Sequence, residues 1–154
     1  MFKHILVAID GSPYTREAIP VAIDIARKFE SDLFVLHVAE HDRGRAVAYS
    51  LESPADATRM VASAVAEARA AGVTASGQLL DKPAGHVAEA IEQVALEHGI
   101  DLIVMGSRGL SDAQGFLLGS VTHKVMQMVD IPVLVTRAKT AALVPEPVAS
   151  RARN

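Results

Sequence analysis

The chain has no cysteine and no tryptophan among its 154 residues. Without cysteine it has no disulfide bridge, no thiolate nucleophile and no thiolate metal ligand. Aromatic residues make up 4% of the chain, and the formal net charge is −3. Proteins that bind nucleic acid need basic surfaces, and many also use aromatic side chains to stack on bases. We therefore expect no nucleic-acid partner.

Long apolar runs are also missing. No stretch reaches the length that spans a bilayer, and the first residues lead directly into a strand pattern instead of a signal-peptide core. We expect no membrane partner and a cytoplasmic protein. The length and a hydrophobic content of 50% suit one globular domain. We predict this domain at 1–137 and a disordered tail at 138–154, where Pro145 and Pro147 interrupt any regular element.

Several well-known site motifs are absent as well. The chain contains neither the G-x-G-x-x-G fingerprint of dinucleotide-binding proteins nor the G-x4-G-K-S/T motif of P-loop proteins. It also lacks the H-E-x-x-H pair of zinc proteases and the G-x-S-x-G elbow of serine hydrolases. Surface or helix-capping positions are expected for the histidines, which are His4, His37, His41, His86, His98 and His123.

Apolar periodicity predicts five strands that alternate with four helices. The strands are predicted at 4–9, 33–38, 73–80, 101–105 and 133–136, and the helices at 13–29, 56–71, 83–98 and 121–129. The polar segment from Ala39 to Pro54 is predicted to be the longest loop and a candidate lid. A turn is predicted at Asp81-Lys82-Pro83.

Strict alternation of strands and helices predicts an α/β fold with an open parallel sheet and helices on both faces. We expect the strand order 3-2-1-4-5, which reverses direction between the first and fourth strands. Ligands of such sheets bind beyond the carboxyl ends of the strands at this reversal. Asp10 and Gly106 are both predicted to lie there.

The pattern G-x2-G-x9-G-S is formed by Gly106, Gly109, Gly119 and Ser120. Glycines allow a phosphate chain to approach the backbone closely, and a helix that starts at Gly119-Ser120 offers unpaired N–H groups and a hydroxyl. The group could therefore hold a triphosphate. The plain alternative is a strand end, a turn and a helix cap, which any connection of this type requires. If phosphates bind here, valine at Gly106 or Gly119 should abolish binding and leave the fold largely intact.

Two charged residues beside this pattern also have two interpretations each. The Asp10 carboxylate could accept hydrogen bonds from ribose hydroxyls, or it could bond to Ser12 or the backbone within a turn. Arg108 could pair with phosphate oxygens, or it could be an ordinary solvated loop arginine.

Three segments resemble the universal stress protein family, and the likeness extends from Phe2 to Arg137. They are Ile5-Leu6-Val7-Ala8-Ile9-Asp10-Gly11-Ser12, Asp101-Leu102-Ile103-Val104-Met105-Gly106-Ser107-Arg108-Gly109, and Leu118-Gly119-Ser120-Val121 leading to Pro132-Val133-Leu134-Val135. The resemblance implies an adenine-nucleotide alpha hydrolase-like fold. The intact G-x2-G-x9-G-S pattern is similar to that of the branch that binds ATP.

The resemblance also implies roles for individual residues. Ala8, Ile9 and Asp10 would line the adenosine pocket, Val38 would hold adenine through its backbone, and Met105 would pack against the nucleoside. The phosphates would be held by Gly106, Gly109, Gly119 and Ser120, with a further backbone donor from Val121.

The family likeness further implies ATP as the ligand, Mg²⁺ bound through the phosphates, and a homodimer formed through Val133–Thr136. The leading hypothesis is a nucleotide-responsive regulatory module in the stress response. A slow ATPase or adenylyl-transferring enzyme is the alternative on the same fold, although we identify no general base for it. A dimeric scaffold with a vestigial pocket is the third hypothesis.

Overall fold

The computed structural model describes residues 1–41, 53–108 and 118–137. Gly109, the predicted tail at 138–154 and most of the predicted lid lie outside these ranges. The described residues form five strands and four helices in strict alternation. The strands are β1 (His4–Ile9), β2 (Asp32–His41), β3 (Ala75–Pro83), β4 (Leu102–Gly106) and β5 (Val133–Thr136). The helices are α1 (Pro13–Phe29), α2 (Pro54–Ala70), α3 (Val87–Glu97) and α4 (Ser120–Met128).

All five strands are parallel and lie in the order β3-β2-β1-β4-β5, so the predicted fold class and strand order are confirmed. In the register of the sheet Ala8 lies beside Met105 on one side, and Ile9 lies beside His37 on the other. The carboxyl ends of β1 and β4 are therefore neighbours, as the predicted ligand position requires.

Helices cover both faces of the sheet, and each face has its own apolar core. Ile5, Val7 and Ile9 of β1 pack with α1 and α2, whereas Leu6 and Ala8 point to the opposite face and pack with α3 and α4. This division follows from the period of two in a strand, which sends successive side chains to opposite faces. Burial on both faces explains why β1 reads as a continuous apolar run.

The start of α1 is fixed by its first residues. The Ser12 side chain accepts a hydrogen bond from the Thr15 N–H at 3.3 Å, and Pro13 occupies the first turn, where a missing N–H costs nothing. The helix ends at Glu30, whose φ of 54° lies in the left-handed region. Small side chains at Ala18 and Ala22 are fully buried and let the helix lie close to the sheet.

Two predicted boundaries at the carboxyl ends of β2 and β3 are wrong. The polar residues from Ala39 to His41 belong to β2 rather than to the loop, and Asp81-Lys82-Pro83 continues β3 rather than forming a turn. The two extensions pair with each other along the backbone up to His41 and Pro83. Backbone pairing stabilises these residues as strand although the side-chain pattern is polar. The His41 Nδ1 atom also lies 2.5 Å from Asp81 Oδ1.

Two helices also begin at residues other than those predicted. Because Pro83 belongs to β3, α3 begins at Val87 after a turn in which Gly85 has a φ of 85°. Helix α2 begins at Pro54, because Ser53 caps it by accepting from the Asp56 N–H at 3.1 Å. Among the described residues, no helix is both long and apolar enough to cross a membrane.

Gly77 allows α2 to lie against the edge strand β3. A Cβ atom at this position would lie 2.7 Å from Val61 Cγ1, 2.9 Å from Val65 Cγ2 and 3.1 Å from the Val35 carbonyl oxygen. These spacings are too short for normal contact, so a larger residue would push α2 away from the sheet.

We predict that Gly77→Ala lowers the free energy of unfolding by about 1–3 kcal/mol, because the added methyl group overpacks this contact. Chemical denaturation of Gly77→Ala, Val61→Ala and the double variant measures the effect. The double variant should lose less than the sum of the two single losses, since Val61→Ala removes the nearest clashing atom. Strictly additive losses would contradict this explanation.

Candidate functional site

The site lies at the carboxyl ends of β1 and β4, where the strand order reverses. The chain leaves β1 into α1 and reaches β4 from the other half of the sheet. The first turns of α1 and α4 both contact the end of β4, since Gly106 is in contact with Tyr14 and with Thr122. Two helix N-termini at one edge give this region a positive electrostatic potential.

Asp10 is used in a tight turn before α1. Its Oδ1 atom accepts hydrogen bonds from the Ser12 N–H at 2.9 Å and from the Thr15 hydroxyl at 3.0 Å. Gly11, between them, has a φ of 79°, which favours glycine. The structure thus shows Asp10 forming a turn, as one of its two interpretations predicted. Contact of the same half-buried carboxylate with a ribose stays a prediction.

Gly106 has a packing role that the sequence did not reveal. A Cβ atom there would lie 2.9 Å from the Tyr14 carbonyl carbon, 3.0 Å from Tyr14 Cβ and 3.1 Å from the Thr15 nitrogen. Most of these neighbours are backbone atoms of α1, which cannot rotate away. The expectation that Gly106→Val leaves the fold largely intact is therefore wrong, whereas phosphate contact at Gly106 stays a prediction.

The two ends of the glycine pattern are joined by direct hydrogen bonds. The Gly119 N–H donates to the Ser107 carbonyl oxygen at 2.7 Å, and the buried Thr122 hydroxyl donates to the Gly106 carbonyl oxygen at 2.9 Å. Residues separated by more than ten positions are thereby brought together at the start of α4. The structure thus places Gly106, Gly119 and Ser120 in one locality, beside the β1 end that carries Asp10.

The start of α4 lacks a side-chain cap. Gly119 is the N-cap residue, with an extended backbone at φ −72° and ψ 156°, and it has no side chain that could accept from the first helical N–H groups. Ser120 and Val121 follow as the first two residues of the helix. A helix end of this kind offers backbone donors to an anion.

Arg108 adds a full positive charge to this end of the sheet. Its side chain is half-buried, its Cζ atom lies 5.8 Å from the centre of the Tyr14 ring, and Nη1 lies 3.5 Å from the Tyr14 hydroxyl. Within the described parts of the chain, no carboxylate forms an ion pair with Arg108. A half-buried cation without such a partner suits an anionic ligand.

The apolar residues predicted for the nucleoside are divided between the two faces of the sheet. Ala8, Val38 and Met105 are buried in one cluster, against which Val121 packs. The Ile9 side chain belongs to the opposite cluster, with α1 and α2. Ile9 can therefore meet a ligand on the first face only through its backbone.

His37 is a residue that the sequence analysis misjudged. It is 4% exposed, and its Nδ1 atom lies 2.7 Å from the Ile9 carbonyl oxygen, so the Nδ1–H group donates a hydrogen bond to the last residue of β1. The expected surface position is wrong for this histidine. Its place within the otherwise apolar run Leu33 to Val38 was the available sequence signal for burial.

A polar contact ties α4 to α3 behind the site. The Lys124 ammonium group lies 3.4 Å from Glu89 Oε1 and donates to the Gly85 carbonyl oxygen at 3.3 Å. A hydrogen bond from its own backbone N–H, followed by the Lys124 interaction, lowers the pKa of Glu89 below its ordinary value of 4.5. Since the folded state favours the ionised form, these Glu89 interactions contribute fully to stability above pH 4.5, and the contribution is lost as the pH falls through the lowered pKa of the folded state.

The fold and this site define an open α/β protein in which the first turns of two helices and the Arg108 side chain lie at the point of strand-order reversal. The sequence model described as the universal stress protein family matches residues 1–137. The chain is 34% identical to the universal stress protein YxiE of Bacillus subtilis over 151 residues, which covers 89% of this chain and 100% of that protein. This chain belongs to the universal stress protein family.

Solved structures agree with this assignment. The structure of MJ0577 from Methanocaldococcus jannaschii superposes with a TM-score of 0.76 at 26% identity, covering 92% of this chain and 99% of that chain. A universal stress protein in complex with cAMP superposes with a TM-score of 0.67 at 26% identity, covering 89% and 98%. The fold is therefore the adenine-nucleotide alpha hydrolase-like fold.

We predict that Gly106→Ala destabilises the protein by about 1–3 kcal/mol even without any ligand, because the added methyl group meets the backbone of α1. Denaturant unfolding of the ligand-free variant gives the value directly. An unfolding free energy equal to that of the wild type would show that α1 does not require glycine here.

Proposed function

We propose that this protein binds an adenine nucleotide at the joined ends of β1 and β4, and that ATP with Mg²⁺ is the form it uses. The observation that carries the proposal is the pair of hydrogen bonds that fixes Gly106 and Ser107 against the start of α4, beside Asp10. The related protein in complex with cAMP, which shares the fold, supports an adenine nucleotide as the ligand class.

Each part of the nucleotide has suitable groups within this site. Backbone donors at Ser120 and Val121 and the Arg108 cation are suited to phosphates. The Asp10 carboxylate is suited to ribose hydroxyls, and Val38 and Met105 supply an apolar wall for the base. Among the described residues, no cluster of three or more ligating side chains could hold a metal ion. Mg²⁺ would therefore enter with the phosphates, as Mg²⁺ commonly does.

We infer a regulatory role rather than a catalytic one for nucleotide binding. Phosphate transfer needs a base or water-positioning group near the terminal phosphate. Among the described residues, the carboxylate that follows β1 is Asp10, and it already accepts two hydrogen bonds within its own turn. The functional output is then a conformation or surface that depends on nucleotide occupancy, as part of a stress response.

The first test compares ATP, ADP, AMP, cAMP and adenosine by isothermal titration calorimetry with and without Mg²⁺. We expect saturable binding of ATP to one site per chain, and steady-state phosphate release near the background rate. Absence of binding for every adenine nucleotide would contradict the proposed function. Rapid phosphate release would instead favour the ATPase alternative.

Asp10 provides a matched pair of variants for the nucleoside contact. Asp10→Asn keeps an oxygen acceptor for the Ser12 and Thr15 hydrogen bonds but removes the charge, whereas Asp10→Ala removes both. We predict that both variants weaken adenosine binding by about 1–3 kcal/mol, and that only Asp10→Ala also loses about 1 kcal/mol of unfolding free energy. Calorimetry and denaturation measure the two effects separately. Unchanged adenosine affinity in Asp10→Asn would limit Asp10 to its turn.

We also propose a homodimer through the edge strand β5. Among the described residues, β5 pairs only with β4, and its Leu134 side chain is 37% exposed. An apolar strand at the edge of a sheet is an available surface for strand pairing with a second copy.

We predict that the wild-type protein sediments as a dimer and that Leu134→Lys shifts it toward the monomer, because a charged edge residue opposes pairing. Leu96→Lys is the matched control, since Leu96 is 71% exposed on α3, which packs on β2 rather than at this edge. Sedimentation velocity measures both variants. A wild-type monomer, or an equal response of the two variants, would contradict the proposed interface.

A further inference from the structure

Tyr14 is the side chain that Arg108 contacts, and it lies in the first turn of α1. The Arg108 Cζ atom lies 5.8 Å from the centre of the Tyr14 ring, and Arg108 Nη1 lies 3.5 Å from the Tyr14 hydroxyl. This is the geometry of a cation–π contact reinforced by a weak polar contact. The tyrosine ring thus supports the only charged side chain of the glycine pattern among the described residues.

Tyr14 itself has little freedom to move. Its backbone and Cβ atom fill the space above Gly106, where a Cβ atom would approach them to 2.9 and 3.0 Å. The Thr136 hydroxyl lies 3.5 Å from the Tyr14 carbonyl oxygen and 3.4 Å from the Met105 carbonyl oxygen, and it can donate its single proton to either. The preceding Ser12 side chain caps the same turn. A ring attached to this backbone gives Arg108 a fixed support rather than a flexible one.

The position of Arg108 restricts which part of a nucleotide it can affect. Arg108 directly follows Ser107, whose carbonyl oxygen accepts from the Gly119 N–H at the start of α4. It also lies toward α1, whereas Ala8 and Met105 line the opposite face of the sheet. The guanidinium group is therefore near the proposed phosphate position and away from the proposed nucleoside wall. A planar cation stacked on a ring keeps N–H groups available for phosphate oxygens.

We propose that Tyr14 is a positioning residue that holds Arg108 for the phosphate chain, and that this pair sets the preference of the protein for nucleotides with more phosphates. This inference rests on the proposed function and deepens it. Tyr14 acts through Arg108 and makes no contact with the nucleoside. The effect of Tyr14 must therefore depend on the number of phosphates and on the presence of Arg108.

The test measures the affinities of adenosine, AMP and ATP for Tyr14→Leu, Tyr14→Phe, Arg108→Ala and the double variant Tyr14→Leu/Arg108→Ala. Both replacements of Tyr14 keep the Cβ atom that packs on Gly106, and thermal unfolding checks that each variant is folded. We expect Tyr14→Leu to weaken ATP binding about fivefold, which is the size of one cation–π contact. Adenosine binding should weaken by less than about twofold. Tyr14→Phe keeps the ring and should retain most of the ATP preference.

The double variant distinguishes positioning from general structure. It should bind ATP as weakly as Arg108→Ala alone, because Tyr14 has no effect once the cation is gone. Equal weakening of ATP and adenosine by Tyr14→Leu, no weakening of either, or additive losses in the double variant would each show that Tyr14 does not act through Arg108. If the wild-type protein binds no adenine nucleotide at all, the proposed function is wrong and this inference falls with it.

Tyrosine fluorescence gives a second readout that does not depend on affinity. The chain has two tyrosines and no tryptophan, so Tyr49→Phe leaves Tyr14 as the only tyrosine. In that background we expect ATP to change the Tyr14 emission, after correction for nucleotide absorption, and adenosine to leave it unchanged. Adding Arg108→Ala should abolish the response to ATP. An equal response to adenosine would contradict the inference.

Discussion

The close approach of α1 to the end of β4 is the contact on which the rest of the site depends. It is possible because Gly106 has no Cβ atom, so the backbone of Tyr14 and Thr15 occupies that space. The same approach places the Asp10 turn beside β4 and puts the Tyr14 ring under Arg108. If α1 moved outward by the width of a methyl group, Asp10 and Arg108 would both lose their present neighbours.

The two described glycines of the pattern have different structural roles. Gly106 is required for packing between α1 and β4. Gly119 has an extended backbone that other residues can also adopt, and it begins α4 without a side-chain cap and donates to Ser107. A glycine after a strand indicates that another group lies close to its backbone. The sequence does not show whether that group is a ligand or another part of the chain. Packing against α1 is the role that the structure shows for Gly106, and phosphate contact there belongs to the proposed function.

Strand β5 links the proposed nucleotide site to the proposed dimer interface. The Ser107 N–H donates to the Thr136 carbonyl oxygen at 2.7 Å, and the Thr136 hydroxyl contacts the Tyr14 carbonyl oxygen. The last residue of the edge strand therefore touches both the glycine pattern and the helix that carries Tyr14. In the proposed regulation, Thr136 would provide the physical connection between nucleotide occupancy and the dimer surface.

The sequence by itself determined the alternation of strands and helices, and through it a parallel sheet, because apolar periodicity and helix-start signals are local properties. The strand order was expected from the fold class, since it is a property of the assembled sheet rather than of any local segment. It also contained the family likeness, which covers residues 1–137. The paired ends of β2 and β3, the burial of His37, the face to which Ile9 points, and the contacts of Gly106 and Arg108 were decided by the tertiary structure. Each of these depends on a residue that is distant in the chain, such as Pro83 for His41 or Tyr14 for Arg108. A local sequence pattern does not specify which distant residue will be the contact partner.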